Sequence, residues 1–153
     1  MAKRDGLSPG GAAMMKVIAG TADAFFGLRA AGEKIGAVNK WGGGTWRFLD
    51  SLATDGPQTV PNLARARSVS RQRIQKLADE LAADGLLEFT DNPAHRRSKL
   101  VRLTPAGTAE HARLTARIQG WAEELALDMK PKDLKRAAKV LNTLAGRLAD
   151  VAD

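Results

Sequence analysis

At Gly85 the apolar residues of this chain change their period, and that change constrains the fold more than any other feature. Before it, Ile74, Leu77, Ala78 and Leu81 fall at i, i+3, i+4 and i+7, the buried stripe of an amphipathic helix. After it, Leu87 and Phe89 alternate with Glu88 and Thr90. Further on, Val101 and Leu103 alternate with Leu100, Arg102 and Thr104, so the two runs predict a half-buried hairpin. Glycine ends helices well because it enters the left-handed region without a Cβ clash. At the other end of the helix, Ser70 is a good N-cap and Val69 before it can staple onto Ile74. Upstream, Thr59 caps a shorter helix with Pro61 in its first turn and Leu63 and Ala64 facing inward, and residues 58–60 add a short third strand.

Helix, tight turn, helix and hairpin over 59–104 outline a winged helix-turn-helix, a module that sets its second helix in the major groove of DNA. Ser70, Arg71, Gln72, Arg73, Gln75 and Lys76 form the cap and exposed start of that helix. Arginine can fork onto guanine O6 and N7, and glutamine onto adenine N6 and N7. From residue 65 to 77 the charged residues are Arg65, Arg67, Arg71, Arg73 and Lys76, all basic, and the first acid is Asp79. A merely solvated helix face tends to interleave the two signs, so DNA contact is the preferred reading, with Arg65 and Arg67 placed for the backbone. The hairpin loop turns at Asn92-Pro93 and carries His95, Arg96, Arg97, Ser98 and Lys99, a second basic surface. Thr104-Pro105 opens the following helix as N-cap and N1.

These residues carry a resemblance. Leu63-Ala64, Ser70-Arg71-Gln72, Leu81 with Asp84-Gly85-Leu86, and Arg96-Arg97-Ser98 running on to Val101, Leu103-Thr104 and Gly107 are similar to the winged helix of the MarR (multiple antibiotic resistance regulator) family of bacterial transcription regulators. With its flanking helices the resemblance covers nearly the whole chain. It implies a homodimer on a pseudo-palindromic double-stranded operator, usually a repressor that a small-molecule effector releases. The chain departs from the family pattern at His95, where an acid usually precedes the arginine pair, and at Ser68, where the turn usually has glycine.

The remainder is helical. Residues 1–8 are expected to form a mobile arm. A long helix over 12–39 carries Val17, Ile18, Thr21, Ala22, Phe25 and Leu28 on one side, with Ile35 and Val38 further on. Gly27, Gly32 and Gly36 weaken it, at about 1 kcal/mol each against alanine, unless they allow close packing. Gly42-Gly43-Gly44 breaks the chain; no Gly-Lys-Ser/Thr follows, so a flexible connection is preferred to a phosphate loop. Thr45 is expected to cap a helix over 45–54 that buries Trp46, Leu49, Leu52 and Ala53. A helix over 105–129 aligns Leu114, Ile118, Trp121 and Leu125, and one after Pro131 aligns Leu134, Ala138, Leu141, Leu144, Ala145 and Leu148. These stripes exceed what the module can cover. Residues 9–58 and 105–153 are therefore read as a dimerisation region, with packing inside one chain as the alternative. The fold class is mainly α with a small β-hairpin wing.

Composition narrows the chemistry. Of a formal net charge of +7, the module holds nine basic against five acidic residues, more than half of the excess, where a polyanion would be met. Without cysteine there is no disulfide, thiolate metal site or thiol redox switch. Neither a signal peptide nor a run near the ~18 uncharged apolar residues of a membrane span is evident, so a cytoplasmic protein with no membrane partner is expected. The histidines are His95 and His111, and no HExxH or GxSxG occurs, so no catalytic residue, metal or cofactor is assigned. His111 is expected to be exposed. Trp46 and Trp121 either line an effector pocket or are plain core. A DNA-binding regulator is the preferred function. A protein-interaction module on the same scaffold is the alternative, and it would not need the basic groove-facing residues.

Overall fold

Ser8, Thr59, Ser70 and Thr104 each turn a side-chain oxygen back onto a free N–H in a first helical turn. They accept from Gly11, Asn62, Arg73 and Gly107 at 3.0, 3.3, 3.3 and 3.0 Å. These caps open α1 (Pro9–Lys34), α3 (Val60–Arg67), α4 (Arg71–Ala83) and α5 (Pro105–Ala126). The remaining elements are α2 (Thr45–Asp55), α6 (Pro131–Ala149) and the strands β1 (Gln58–Thr59), β2 (Leu87–Thr90) and β3 (Leu100–Leu103). The computed structural model describes residues 6–37, 40–42, 44–67 and 69–149; Val38, Gly43, Ser68 and most of the N-terminal arm lie outside them.

The strands form one antiparallel sheet in the order β1-β3-β2, so the expected third strand joins through β3. Leu87 pairs with Leu103 and Phe89 with Val101, while Gln58 faces Val101 from the other side. Leu87 and Val101 are buried, and on the outer face Arg102 meets Glu88 at 2.8 Å. One core gathers Leu63 and Ala64 of α3, Ile74, Ala78 and Leu81 of α4, Leu86, Leu87 and Val101 of the hairpin, Phe48, Leu49 and Leu52 of α2, and Leu114 of α5. The core of the winged helix thus extends into α2 and the first half of α5. Phe48, absent from the expected apolar stripe, is fully buried, whereas Trp46 is half-buried and Ala53 exposed.

Two corrections concern helix ends. Gly44 is the N-cap of α2, and Thr45 is its first residue, buried, with its hydroxyl donating to the Gly42 carbonyl at 2.9 Å. The α1 helix ends at Lys34, short of the expected 39. Gly36 takes φ +67°, its N–H bonds the Glu33 carbonyl and that of Ala37 bonds Gly32, which is a Schellman stop. Arg117 of α5 then donates to the carbonyls of Ile35 and Gly36 at 3.0 and 3.4 Å. Gly85 ends α4 in the same way, at φ +75° with Leu86 N–H on Leu81 and Gly85 N–H on Ala82.

Among the described residues, most of α1 is exposed. Its one buried residue is Gly32, and Ile18, Phe25, Phe26 and Leu28 are at least half exposed. No run of ~18 uncharged apolar residues occurs, yet α1 is long and apolar enough, by length and composition alone, to cross a membrane, with a stretch of mean hydropathy 1.2. That stretch includes Lys16 and Asp23.

The start of α5 crosses the start of β2 so closely that a Cβ on Gly107 would collide with the Leu86 carbonyl oxygen. Gly107→Ala should therefore destabilise the protein by about 1–3 kcal/mol, the usual cost of overpacking, read as a lower midpoint in urea with an unchanged slope.

Candidate nucleic-acid interface

The face presented by α4 follows from its buried stripe: with Ile74, Ala78 and Leu81 inward, Arg71, Gln72, Arg73, Gln75 and Lys76 are exposed together. They do not all look the same way. Arg71, Gln72 and Gln75 line a groove of about 530 Å³ whose opposite wall is Phe89, Arg97, Ser98 and Lys99, with Val60 and Pro61 at its end. This groove brings the recognition helix and the wing onto one basic surface. Along α4, Gln75 Nε2 donates to Asp79 Oδ1 at 2.8 Å, and Lys76, outside the groove lining, lies 3.9 Å from Glu80.

The wing loop is shaped by Asn92, whose side-chain oxygen accepts from Ala94 N–H at 3.0 Å and whose carbonyl accepts from His95. Ser98 N–H then bonds the His95 carbonyl, and His95, Arg96, Arg97 and Lys99 stand exposed around the turn. Arg97 and Lys99 face the groove; His95 and Arg96 are not among its lining residues.

Arg73 faces elsewhere. It sits at the mouth of a second cavity, of about 620 Å³, between α1, α2 and α5, with Phe25, Leu28, Trp46, Ile118 and Trp121 as apolar walls and Arg29 beside it. Trp46 and Trp121, read from the sequence as pocket or core, both line this space while half-buried. The two basic residues of α3 also differ. Arg65 is exposed, but the Arg67 guanidinium lies 5.5 Å from the Phe48 ring, and its pKa falls to about 10. Burial lowers it most, Arg47 adds to the fall, and Asp50 opposes it.

His111 is the clearest departure from expectation. It is largely buried, not exposed, and its Nε2 lies 3.2 Å from both Asp50 Oδ1 and Thr115 Oγ1. Asp50 can only accept, so this nitrogen must carry a hydrogen. Thr115 in turn accepts from the Trp46 indole N–H at 3.0 Å. A polar chain therefore runs from the second cavity across the α2–α5 contact to the partly exposed Asp50. Local sequence could not show it, since His111 and Asp50 are sixty-one residues apart.

A further link holds the far end of α4. Asp84 accepts from the Trp41 indole and pairs with Lys40 Nζ at 2.9 Å, tying the recognition helix to the segment before α2. The hydrogen bonds from Lys40 and Trp41 hold the Asp84 carboxyl below its ordinary value of 3.8. With the folded pKa depressed, the link contributes fully above the unfolded value and is lost only as pH falls through the lower folded one. The indole N–H resonance of Trp41 should thus move with a midpoint below pH 3.8, and Asp84→Asn should shift it at every pH.

Residues 43–98 match the sequence model of the MarR family. Uncharacterized proteins of Mycobacterium bovis and Mycobacterium tuberculosis are 40% identical over 80 residues, 52% of this chain and 55% of each relative. The chain thus spans about half the length of the curated relatives it matches. Among solved structures, a MarR family transcription regulator, SP03579, is 26% identical with a TM-score of 0.72, covering 91% of this chain and 92% of that one. The transcriptional regulator BldR of Sulfolobus solfataricus shares the fold at 20% identity, TM-score 0.72, over 96% and 99% of the two chains. MarR of Escherichia coli, in its apo form, shares it at 19% identity, TM-score 0.63, over 92% and 98%.

Proposed function

Because the chain carries the winged helix-turn-helix of the MarR family, a family of transcription regulators rather than enzymes, we propose that it is a sequence-specific repressor. It binds a pseudo-palindromic double-stranded operator as a homodimer and is released by a small-molecule effector. The observation that carries the DNA-binding part is the groove in which Arg71, Gln72 and Gln75 of α4 face Arg97 and Lys99 of the wing. The first three stand where a helix in the major groove reaches base edges, and the wing arginines where phosphates or a flanking minor groove pass. Lys76, Arg65, Arg67, His95 and Arg96 around this surface, Ser98 within it and Arg73 at the neighbouring cavity complete the proposed interface.

The dimer is supported by what one chain leaves uncovered. Among the described residues, the large exposed hydrophobics are Leu7, those of α1, and those from Leu125 onward through α6. Phe25, Leu28, Val140 and Leu141 line a groove between α1 and α6 that a second copy would close. On this reading residues 9–58 and 105–153 supply the dimer, 59–104 reads DNA, and the apolar length of α1 serves a protein partner in the cytoplasm rather than a membrane. The effector occupies the cavity walled by Trp46 and Trp121, whose mouth holds Arg73 of the recognition helix.

Two measurements test this. Sedimentation without detergent should show twice the 16.3 kDa subunit at micromolar concentration, and Leu141→Glu should shift it to monomer. A monomeric wild type that binds its site tightly would refute the architecture. In binding titrations on a DNA site selected from a random pool, Arg71→Ala should cost about 1–3 kcal/mol and relax one base position per half-site, with half-sites about 10 bp apart. Arg97→Ala should weaken good and poor sites alike and flatten the salt dependence by about one unit for each phosphate it no longer neutralises. If neither variant changes affinity for any DNA, the interaction-module alternative takes its place.

A further inference from the structure

A glutamine at a DNA surface is ambivalent, because its amide can turn either its oxygen or its nitrogen toward a base. In this protein the ambivalence is narrowed at one position. Gln75 lines the groove between α4 and the wing, and its Nε2 donates to Asp79, one helical turn away, at 2.8 Å. A carboxylate can only accept, so the nitrogen must face Asp79 and Oε1 must face away from it. A flipped amide would set Oε1 against the carboxylate with no hydrogen between them. Among the described residues, Gln72 on the same groove has no comparable side-chain partner. The neighbouring pair, Lys76 with Glu80, carries no such information, since an ammonium donates whichever way it turns.

We propose that Asp79 is a positioning residue for base selection, holding the Gln75 amide so that Oε1 meets an amine hydrogen, adenine N6 or cytosine N4, in preference to guanine or thymine. The inference rests on the DNA-binding function proposed above and deepens it. Guanine O6 and N7 and thymine O4 are acceptors and would oppose Oε1; Asp79 takes one of the two Nε2 hydrogens, which leaves a single one to offer them. The carboxylate also repels phosphates on every sequence, so its contribution is to the ratio between sites and not to affinity.

The test uses the full-length protein and duplexes selected from a random pool. The position whose base choice disappears in Gln75→Ala is then varied through all four base pairs. Wild type should favour adenine or cytosine there by roughly tenfold over guanine or thymine. Asp79→Ala should bring that ratio within about twofold, Asp79→Glu should restore it, and Asp79→Ala should add nothing in a Gln75→Ala background. If Asp79→Ala instead raises affinity for every duplex alike, scrambled DNA included, and leaves the ratio intact, the acid acts only by its charge and the inference falls alone. A wild type that prefers guanine or thymine at that position also overturns it. A wild type that selects no sequence from the pool removes the DNA-binding function and the inference together.

Discussion

The carbonyl oxygen of Leu86 is the point on which the DNA-facing surface depends. It accepts the Thr104 N–H at 3.1 Å, and the Thr104 hydroxyl donates to the neighbouring Gly85 carbonyl at 2.6 Å. The missing side chain of Gly107 lets α5 lie directly against it. The end of the recognition helix, the start of β2, the end of β3 and the start of α5 are therefore fixed within a few residues of one another. The angle between α4 and the wing follows from that junction, and so does the groove in which Arg71 and Arg97 face each other. Buried backbone polar groups must find partners, and here Thr104, between β3 and α5, supplies them to both the Leu86 and the Gly85 carbonyl.

How much of this is legible in the sequence depends on whether a signal is local. The cap at Ser70, the stop at Gly85 and the switch from a helical to a strand period lie within a few residues of the structure they specify, and each appears as expected. Gly36 ends α1 by the same backbone chemistry as Gly85, yet in the sequence it looks like one of several glycines inside a helix. No change of period follows it, and the residue that grips its carbonyl, Arg117, is eighty-one positions away. Thr45 misleads for the opposite reason: a hydroxyl before an apolar run imitates a cap, but this one is buried and turns back to Gly42. Which way each arginine of α4 faces is likewise decided by distant elements, the wing for Arg71 and the α1–α2–α5 cavity for Arg73.

That cavity is wired to the rest of the molecule in two directions. Arg73 connects its mouth to the first turn of the recognition helix, whose backbone N–H is also the one that Ser70 caps. Through the Trp46 indole the wall connects to Thr115, His111 and Asp50, beside which Arg67 lies over Phe48. A ligand shifts a protein only by its different affinity for two arrangements. Occupancy that moved Trp46 would disturb a partly buried polar chain, where an unmade hydrogen bond costs more than a made one contributes. On the proposed reading, such a ligand would act on the DNA surface through these contacts.

The amino-terminal helix adds a different constraint. Five glycines, Gly10, Gly11, Gly20, Gly27 and Gly32, fall inside α1, each about 1 kcal/mol less favourable than alanine in a helix. Isolated helices of ordinary composition are already marginal in water, and most helical stability in proteins comes from packing an apolar face. A single chain buries almost none of this helix, and α6 is exposed along nearly all of its length. The core that holds α2, α3, α4 and the hairpin draws nothing from α1 or α6. On the proposed reading, order in the terminal helices is supplied by a surface outside the chain, whereas the winged helix carries its own. On that reading a second copy supplies the surface, and two reading heads are placed by helices that are fully stable only when paired.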